Sequence, residues 1–238
     1  MKVGLFLLSR LYALVVFSWS FLYKSNFLHR YIFKTPILSI GNIAVGGTGK
    51  TPMTVFVSKL LTKQNLSHVI ISRGYKKQNK GTIAVNQGVL SGTLKPDECG
   101  DEPYMMVEKL PKTPIIVSEN KVEAIKFAIN KYSPQVILMD DGFQSHSINK
   151  NLEIVLINSI CKSEDLYLLP LGKLREPIKN IKRANLIVFT KKNIAKNMGQ
   201  QFQIKKHVLD ILKNNPIPFC ATSLQTVLLK YNLKDRGL

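Results

Sequence analysis

Apolar positions run almost unbroken from Gly4 to Tyr23, GLFLLSRLYALVVFSWSFLY, interrupted by Arg10 and diluted by three serines. In helical form this stretch matches about one bilayer hydrocarbon core. A charge near the middle of a span costs roughly 2.5–3.5 kcal/mol on insertion scales. Lys24, Arg30 and Lys34 follow closely and favour a cytoplasmic C-terminal side. Three structures fit the pattern: a spanning helix, a helix lying in the interface with Arg10 reaching the headgroups, and a buried apolar helix of a soluble domain. Trp19, Tyr12 and Tyr23 suit an interface. A secretory signal peptide fits least, because no small-residue cleavage site follows.

Beyond this segment, short apolar runs alternate with helical patterns. Strands are predicted at Pro36–Ile40, His68–Ser72, Pro114–Val117, Gln135–Met139, Glu153–Ile157 and Leu186–Phe189, and helices at Pro52–Leu61 and Val122–Ile129. The alternation implies an α/β fold with a mostly parallel sheet covered by helices. The runs are continuous rather than alternating, as in strands buried on both faces. Residues 76–96 are polar and glycine-containing and read as a loop. From Lys191 onward the chain carries nine basic and two acidic residues, with a helix expected at Phe202–Leu212 and a strand at Pro216–Ala221. The expected organisation is a membrane-associated helix (1–25), a core domain (26–190), and the beginning of an incomplete C-terminal domain (191–238).

Composition sharpens this only modestly. The length, 238 residues, suits one large α/β domain or one domain plus part of another. With 34 basic and 15 acidic side chains the net charge is +19. Such an excess draws nucleic acid, anionic membranes or phosphorylated substrates; compositional drift towards lysine and asparagine gives the same excess. Cys99, Cys161 and Cys220 form no CxxC pair. Neither a disulfide framework nor a zinc site is indicated, which fits a reducing compartment.

The chemistry concentrates in four motifs. Ala44-Val45-Gly46-Gly47-Thr48-Gly49-Lys50-Thr51 lies between a predicted strand and a predicted helix. It has the form of a phosphate-binding loop with alanine in the first position, which makes the fold P-loop NTPase-like. Its glycines let backbone N–H groups turn inward, and the following helix N-terminus adds a positive dipole. Lys50 is expected to reach the β- and γ-phosphates of ATP, and the Thr51 hydroxyl to ligate Mg²⁺. Asp140 and Asp141 end an apolar strand, where a carboxylate can hold that ion directly or through water; a turn-forming role is the alternative. Asp101 and Glu102 precede a helical stretch. They are either capping residues or, for Asp101, a general base that receives the proton of an attacking hydroxyl. Arg175, in Leu-Arg175-Glu176-Pro, is either a bidentate phosphate ligand or a surface ion pair, and Arg73 in Ser72-Arg73-Gly74-Tyr75 is a similar candidate. No Asn-Lys-x-Asp guanine motif and no His-Arg-Asp kinase loop occurs.

Taken in order, Ser39–Asn42 with Gly46–Pro52, Ser72–Tyr75, Gly100–Pro103, Asp140–Gln144 and Leu174–Pro177 resemble the tetraacyldisaccharide 4'-kinases of lipid A biosynthesis. The resemblance covers nearly the whole chain, including the apolar N-terminus. It implies an enzyme at the cytoplasmic face of the inner membrane of a Gram-negative bacterium. That enzyme moves the γ-phosphate of ATP to the 4'-hydroxyl of a tetraacylated glucosamine disaccharide 1-phosphate. By the same resemblance Asp101 sits at the acceptor hydroxyl, Lys50, Thr51, Asp140 and Asp141 serve nucleotide and metal, and Arg175 and Glu176 line the same cleft. The implied partners are the lipid A disaccharide precursor and the inner-membrane surface, with no nucleic acid and no obligate protein partner. The chain differs from the usual pattern at Ser145 (histidine), Lys121 (arginine) and Glu164-Asp165-Leu166 (Gly-Asn-Gly). Family members are expected to continue into a C-terminal domain with a histidine-bearing motif. The competing expectation is therefore a truncated, catalytically inactive nucleotide-binding remnant. A nucleic-acid-binding P-loop protein is disfavoured by the lack of basic–aromatic clusters.

Overall fold

Runs rich in Ile, Val and Leu become buried strands, and the helical patterns between them cover the sheet. Along the chain of the computed structural model lie α1 (Lys2–Lys24), β1 (Ile37–Asn42), α2 (Lys50–Lys63), β2 (His68–Ser72), β3 (Ile83–Ala84), α3 (Asn86–Leu90), α4 (Pro96–Cys99), α5 (Asp101–Lys109), β4 (Ile115–Val117), α6 (Lys121–Tyr132), β5 (Val136–Asp140), β6 (Leu152–Asn158), β7 (Leu186–Thr190) and β8 (Phe219–Ala221). The structure describes residues 2–74, 81–191, 206–212 and 217–221. They form two compact units: Met1–His29, Gly41–Gly49 and Glu153–Leu238 make one, Arg30–Ile40 and Lys50–Leu152 the other.

In the unit built from Arg30–Ile40 and Lys50–Leu152, the strand order is β3-β4-β2-β5-β1, parallel throughout except for the β3–β4 pair. Register places Ile71 beside Ile116 and Met139, and Ile37 beside Ile137. These side chains share one core with Val69, Ala124, Ile125 and Ala128. Helix α6 opens at Asn120, whose side chain accepts from the Val122 and Glu123 amides, and ends at a left-handed Ser133 (φ 44°). The first strand runs on through Gly41 to Asn42, two residues beyond the predicted Pro36–Ile40. Residues 76–96 differ more from expectation. Those described from 81 onward include β3 and α3, because Val85 and Val89 are buried and the Asn86 side chain bonds Thr113 O (2.8 Å) and Ile115 N (2.6 Å).

In the other unit, β6, β7 and β8 run parallel, with Leu156 beside Val188 and Val188 beside Cys220. Residues 206–212 are helical; the rest of the predicted 202–212 helix lies outside the described residues. Within Val3–Lys24 of α1, an 18-residue stretch reaches a mean hydropathy of 1.8. Arg10 lies over the Phe6 ring, 4.9 Å from its centroid.

A buried histidine gives the fold a testable pH dependence. His68 Nδ1 lies 3.0 Å from the Leu66 carbonyl and Nε2 lies 2.7 Å from the Ser58 hydroxyl. A carbonyl only accepts, so Nδ1 carries the proton and Ser58 donates to Nε2. Burial pushes the imidazole below its usual pKa, with the Leu66 carbonyl opposing. The unfolded chain therefore takes up a proton near pH ~6.5 that the folded chain resists. Stability contributed by neutral His68 is present above that value and lost as pH falls through it. Denaturant titrations between about pH 8 and pH 5 should show a steeper acid loss for wild type than for His68→Gln. Parallel curves would exclude His68 as the source.

Candidate active site

In the first unit, the chain leaves β1 at Asn42 and turns through Ile43–Gly49. The Asn42 side-chain amide donates to Ala44 O (2.6 Å) and to the Thr48 hydroxyl (2.8 Å). The Thr190 hydroxyl at the end of β7 donates to Thr48 O (2.9 Å). Gly46 (φ 105°) and Gly49 (φ 86°) occupy the left-handed region, where a side chain would add strain. The start of the loop is held by a neighbouring segment. The Arg175 amide donates to Ile43 O and the Val45 amide to Lys173 O, each at 2.8 Å, and Ala44 bridges Leu174 in antiparallel sense. A Cβ added at Gly47 would lie 3.9 Å from the Lys191 ammonium, so a second cation stands beside the loop.

The next residue, Glu176, is 1% exposed. Its carboxylate receives Arg183 at both oxygens (2.7 and 3.2 Å) and the Asn180 amide at 2.8 Å. Its charge is thereby tied to the 176–183 turn. Gly172, within the same Leu-Pro-Leu-Gly-Lys run, admits no Cβ without driving it into the Tyr167 carbonyl.

In the second unit, Lys50 and Thr51 are the first residues of α2, where unpaired backbone N–H groups and the helix dipole favour an anion. Lys50 Nζ lies 3.8 Å from Asp141 Oδ1. Asp140, at the end of the adjoining β5, is 1% exposed. The Thr54 hydroxyl donates to its Oδ1 (2.9 Å) and the Ser72 hydroxyl to its Oδ2 (3.5 Å). Burial, and next the charge of Glu102, push its carboxyl up to about 6, with the Thr54 hydrogen bond opposing. Asp141 follows in the left-handed region (φ 49°).

Two lysines grip the backbone of this turn. Lys121 Nζ donates to the carbonyls of Asp140 (3.1 Å) and Asp141. Lys150 Nζ donates to those of Gly142 (3.1 Å) and Phe143 (3.4 Å). Burial lowers the Lys121 ammonium to about 8, against the favourable charges of Asp141 and Asp140. A Cβ at Gly142 would collide with the Ser39 hydroxyl and lie 3.0 Å from Met139 Cε.

The second unit thus brings together Lys50, Thr51, Asp140 and Asp141 from the sequence-derived set. Asp101 is the first residue of α5; the cap itself is Gly100 (φ 96°), without a side-chain cap hydrogen bond. Asp101 and Glu102 are both exposed. Arg175 is half-buried and Glu176 buried. Arg73 is exposed at the end of β2, and its charge opposes that of Lys121; Tyr75 lies outside the described residues. Sequence reasoning missed Thr54 and Lys150, named Ser72 and Glu102 within motifs without giving them a part at Asp140, and treated Lys121 only as a departure from a pattern. One signal was present: Thr54 follows Lys50 by one helical turn, on the same face. Among the described residues no three His, Cys, Asp or Glu side chains converge as a metal-binding group.

The start of α2 at Lys50 and Thr51, with an Asp-Asp pair at the end of the adjoining strand, stands beside what the chain is similar to. The family model for tetraacyldisaccharide-1-P 4'-kinase matches residues 1–230. The tetraacyldisaccharide 4'-kinase of Aquifex aeolicus is 39% identical over 186 residues, 76% of this chain and 56% of that protein. That of Wigglesworthia glossinidia brevipalpis is 35% identical over 219 residues, 90% of this chain and 58% of that protein. A crystal structure of the "apo" form of Aquifex aeolicus LpxK in complex with ATP superposes with a TM-score of 0.72 at 30% identity, covering 93% of this chain and 82% of that one. The chain spans a little over half the length of these curated relatives. With the match running over residues 1–230, the chain belongs to the tetraacyldisaccharide 1-phosphate 4'-kinase family.

Proposed function

We propose that the chain binds ATP with Mg²⁺ on the 44–51 loop and transfers the γ-phosphate to the 4'-hydroxyl of a tetraacyldisaccharide 1-phosphate. The observation that carries this reading is the placement of Lys50 and Thr51 at the start of α2 with Asp141 and buried Asp140 beside them. The Aquifex aeolicus structure in complex with ATP supports the choice of nucleotide.

The donors suit magnesium. They are oxygens only: two carboxylates and the Thr51 hydroxyl. Magnesium takes one or two carboxylates and completes its shell with phosphate oxygens and water. A carboxyl raised to about 6 in a buried, acidic surrounding is one that a cation stabilises in its charged form. When bound, the ion neutralises charge on the β- and γ-phosphate oxygens. Asp140 and Asp141 would hold it, with Thr54 and Ser72 fixing the Asp140 carboxylate. Lys50 reaches the β- and γ-phosphates, and the loop amides cradle them. Asp101 accepts the proton of the 4'-hydroxyl as it attacks. Arg175 and Glu176 complete the surroundings, Glu176 through its pair with Arg183. Phosphoryl transfer needs little covalent help, so positioning and charge neutralisation suffice.

The N-terminal helix supplies the address. Its exposed apolar side chains belong in lipid, where the acyl chains of the substrate also sit. Arg10, Lys24, Arg30 and Lys34 favour anionic headgroups, and the position of Lys24, Arg30 and Lys34 at and beyond the helix end favours the cytoplasmic face of the inner membrane.

The test uses the full chain in detergent micelles with γ-labelled ATP and the disaccharide lipid. Label is expected in the lipid, and Asp101→Ala should lose turnover while keeping nucleotide affinity. Transfer no greater than that of Lys50→Ala would sink the kinase reading for this chain.

A further inference from the structure

Helix α1 is patterned inside out. Most of its exposed side chains are apolar, among them Val3 (73%), Leu7 (62%), Leu14 (61%) and Phe17 (65%). Its buried positions include polar Ser9 (7%) and Ser20 (6%). A helix serving only as a greasy anchor has no use for hydroxyls turned towards protein. Two of them are spent on one segment: Ser9 Oγ donates to Leu168 O (3.0 Å) and the Tyr12 hydroxyl to Arg175 O (2.9 Å).

That segment is a closed hairpin. The Leu169 amide donates to Leu174 O, the Gly172 amide to Leu168 O and the Leu174 amide to Tyr167 O, each at 3.0 Å. Its last residue is bonded on both sides. The Arg175 carbonyl accepts from Tyr12, and the Arg175 amide donates to Ile43 O. Ile43 lies three residues before Gly46 of the phosphate loop. All these groups belong to one compact unit.

We propose that α1 is the ordering element of the phosphate loop, with Tyr12 and Ser9 as its positioning residues. Lipid is the natural solvent for the outward face of α1. A helix settled in lipid fixes the 168–175 hairpin, and the hairpin fixes Ile43–Val45. Nucleotide affinity then depends on engagement of α1 with a bilayer, so ATP is held best by membrane-bound protein. The link from helix to loop stands on the hydrogen bonds alone; its consequence for ATP rests on the nucleotide reading above.

Tyr12→Phe isolates the link, because the ring stays and only the donor to Arg175 O is lost. The full chain is placed on vesicles of anionic phospholipid. Amide hydrogen exchange at Val45 and Arg175 should quicken about fivefold, as expected for loss of one hydrogen bond. Exchange in β2 and β5 should not change, which separates the effect from general destabilisation. The Kd for a fluorescent ATP analogue should rise about fivefold, while co-sedimentation with vesicles stays at the wild-type level. For wild type, adding vesicles should tighten ATP binding; for Tyr12→Phe that gain should shrink. Unchanged exchange at both amides would overturn the link. Quickened exchange with unchanged ATP affinity would overturn its functional consequence. A wild type that binds the analogue no better than Lys50→Ala would instead overturn the nucleotide reading, and exchange would still decide the link.

Discussion

Replacing Lys50 by alanine is expected to reduce kcat/KM for phosphate transfer by at least about 10³-fold, with the fold intact. One lost electrostatic contact to developing charge costs about 10²–10³, and this ammonium is assigned to both the β- and γ-phosphates. The Asp141 side chain is 29% exposed and its oxygen lies 3.8 Å from Lys50 Nζ. Water therefore solvates it once the lysine is gone, and the stability change should stay within about 1 kcal/mol. Lys50→Arg should recover little, because a planar fork cannot replace a compact point charge in a tight loop. Steady-state kinetics with a thermal melt on the same preparations checks both halves. Activity within tenfold of wild type would remove Lys50 from phosphate binding.

Strands β1, β2, β4, β5, β6 and β7 were legible because each contains a short continuous apolar run that is largely buried. β2 matches its predicted bounds, and β4, β5, β6 and β7 lie within a residue of theirs. The polar stretch from 81 to 96 was not legible, because α3 is held by Asn86 bonding the strand 29 residues away rather than by any local periodicity. The loop and the Asp-Asp pair were legible as motifs, since contiguous residues carry their chemistry. Their supporting groups were not. Ser72 reaches Asp140 only because β2 and β5 are paired in a particular register, with Ile71 beside Met139. Lys121 follows Ser-Glu-Asn at a helix start and reads as a surface lysine. Packing turns it inward onto two carbonyls, where burial lowers its ammonium to about 8. Burial likewise lifts the Asp140 carboxyl to about 6, so acid and base at this turn are both pushed towards neutrality. The Thr54 hydroxyl opposes that push on Asp140, and the charges of Asp141 and Asp140 oppose it on Lys121, through contacts that a sequence does not display.

The same limit applies to Glu176, and a stability experiment separates its two roles. Its side chain is 2% exposed and that of Arg183 is 21% exposed, with a closest contact of 2.7 Å. Arg183→Ala leaves a buried carboxylate that has lost its two-oxygen partner. Breaking a buried pair costs about 3–5 kcal/mol. Partial access of water to Arg183 points to the lower end, about 3 kcal/mol, or roughly 6–12 °C in Tm for a chain of this size. Replacing both partners with apolar residues, Glu176→Leu with Arg183→Met, should restore most of the loss, because no charge is then left unpaired. A melt of the single and double variants tests this, and equal destabilisation in the two would mean that packing, not charge, holds the turn. The double variant then decides the chemistry. If it recovers both stability and phosphate transfer, Glu176 serves by fastening the segment that pairs with Ile43. If stability returns and transfer does not, the carboxylate acts on the reactants themselves.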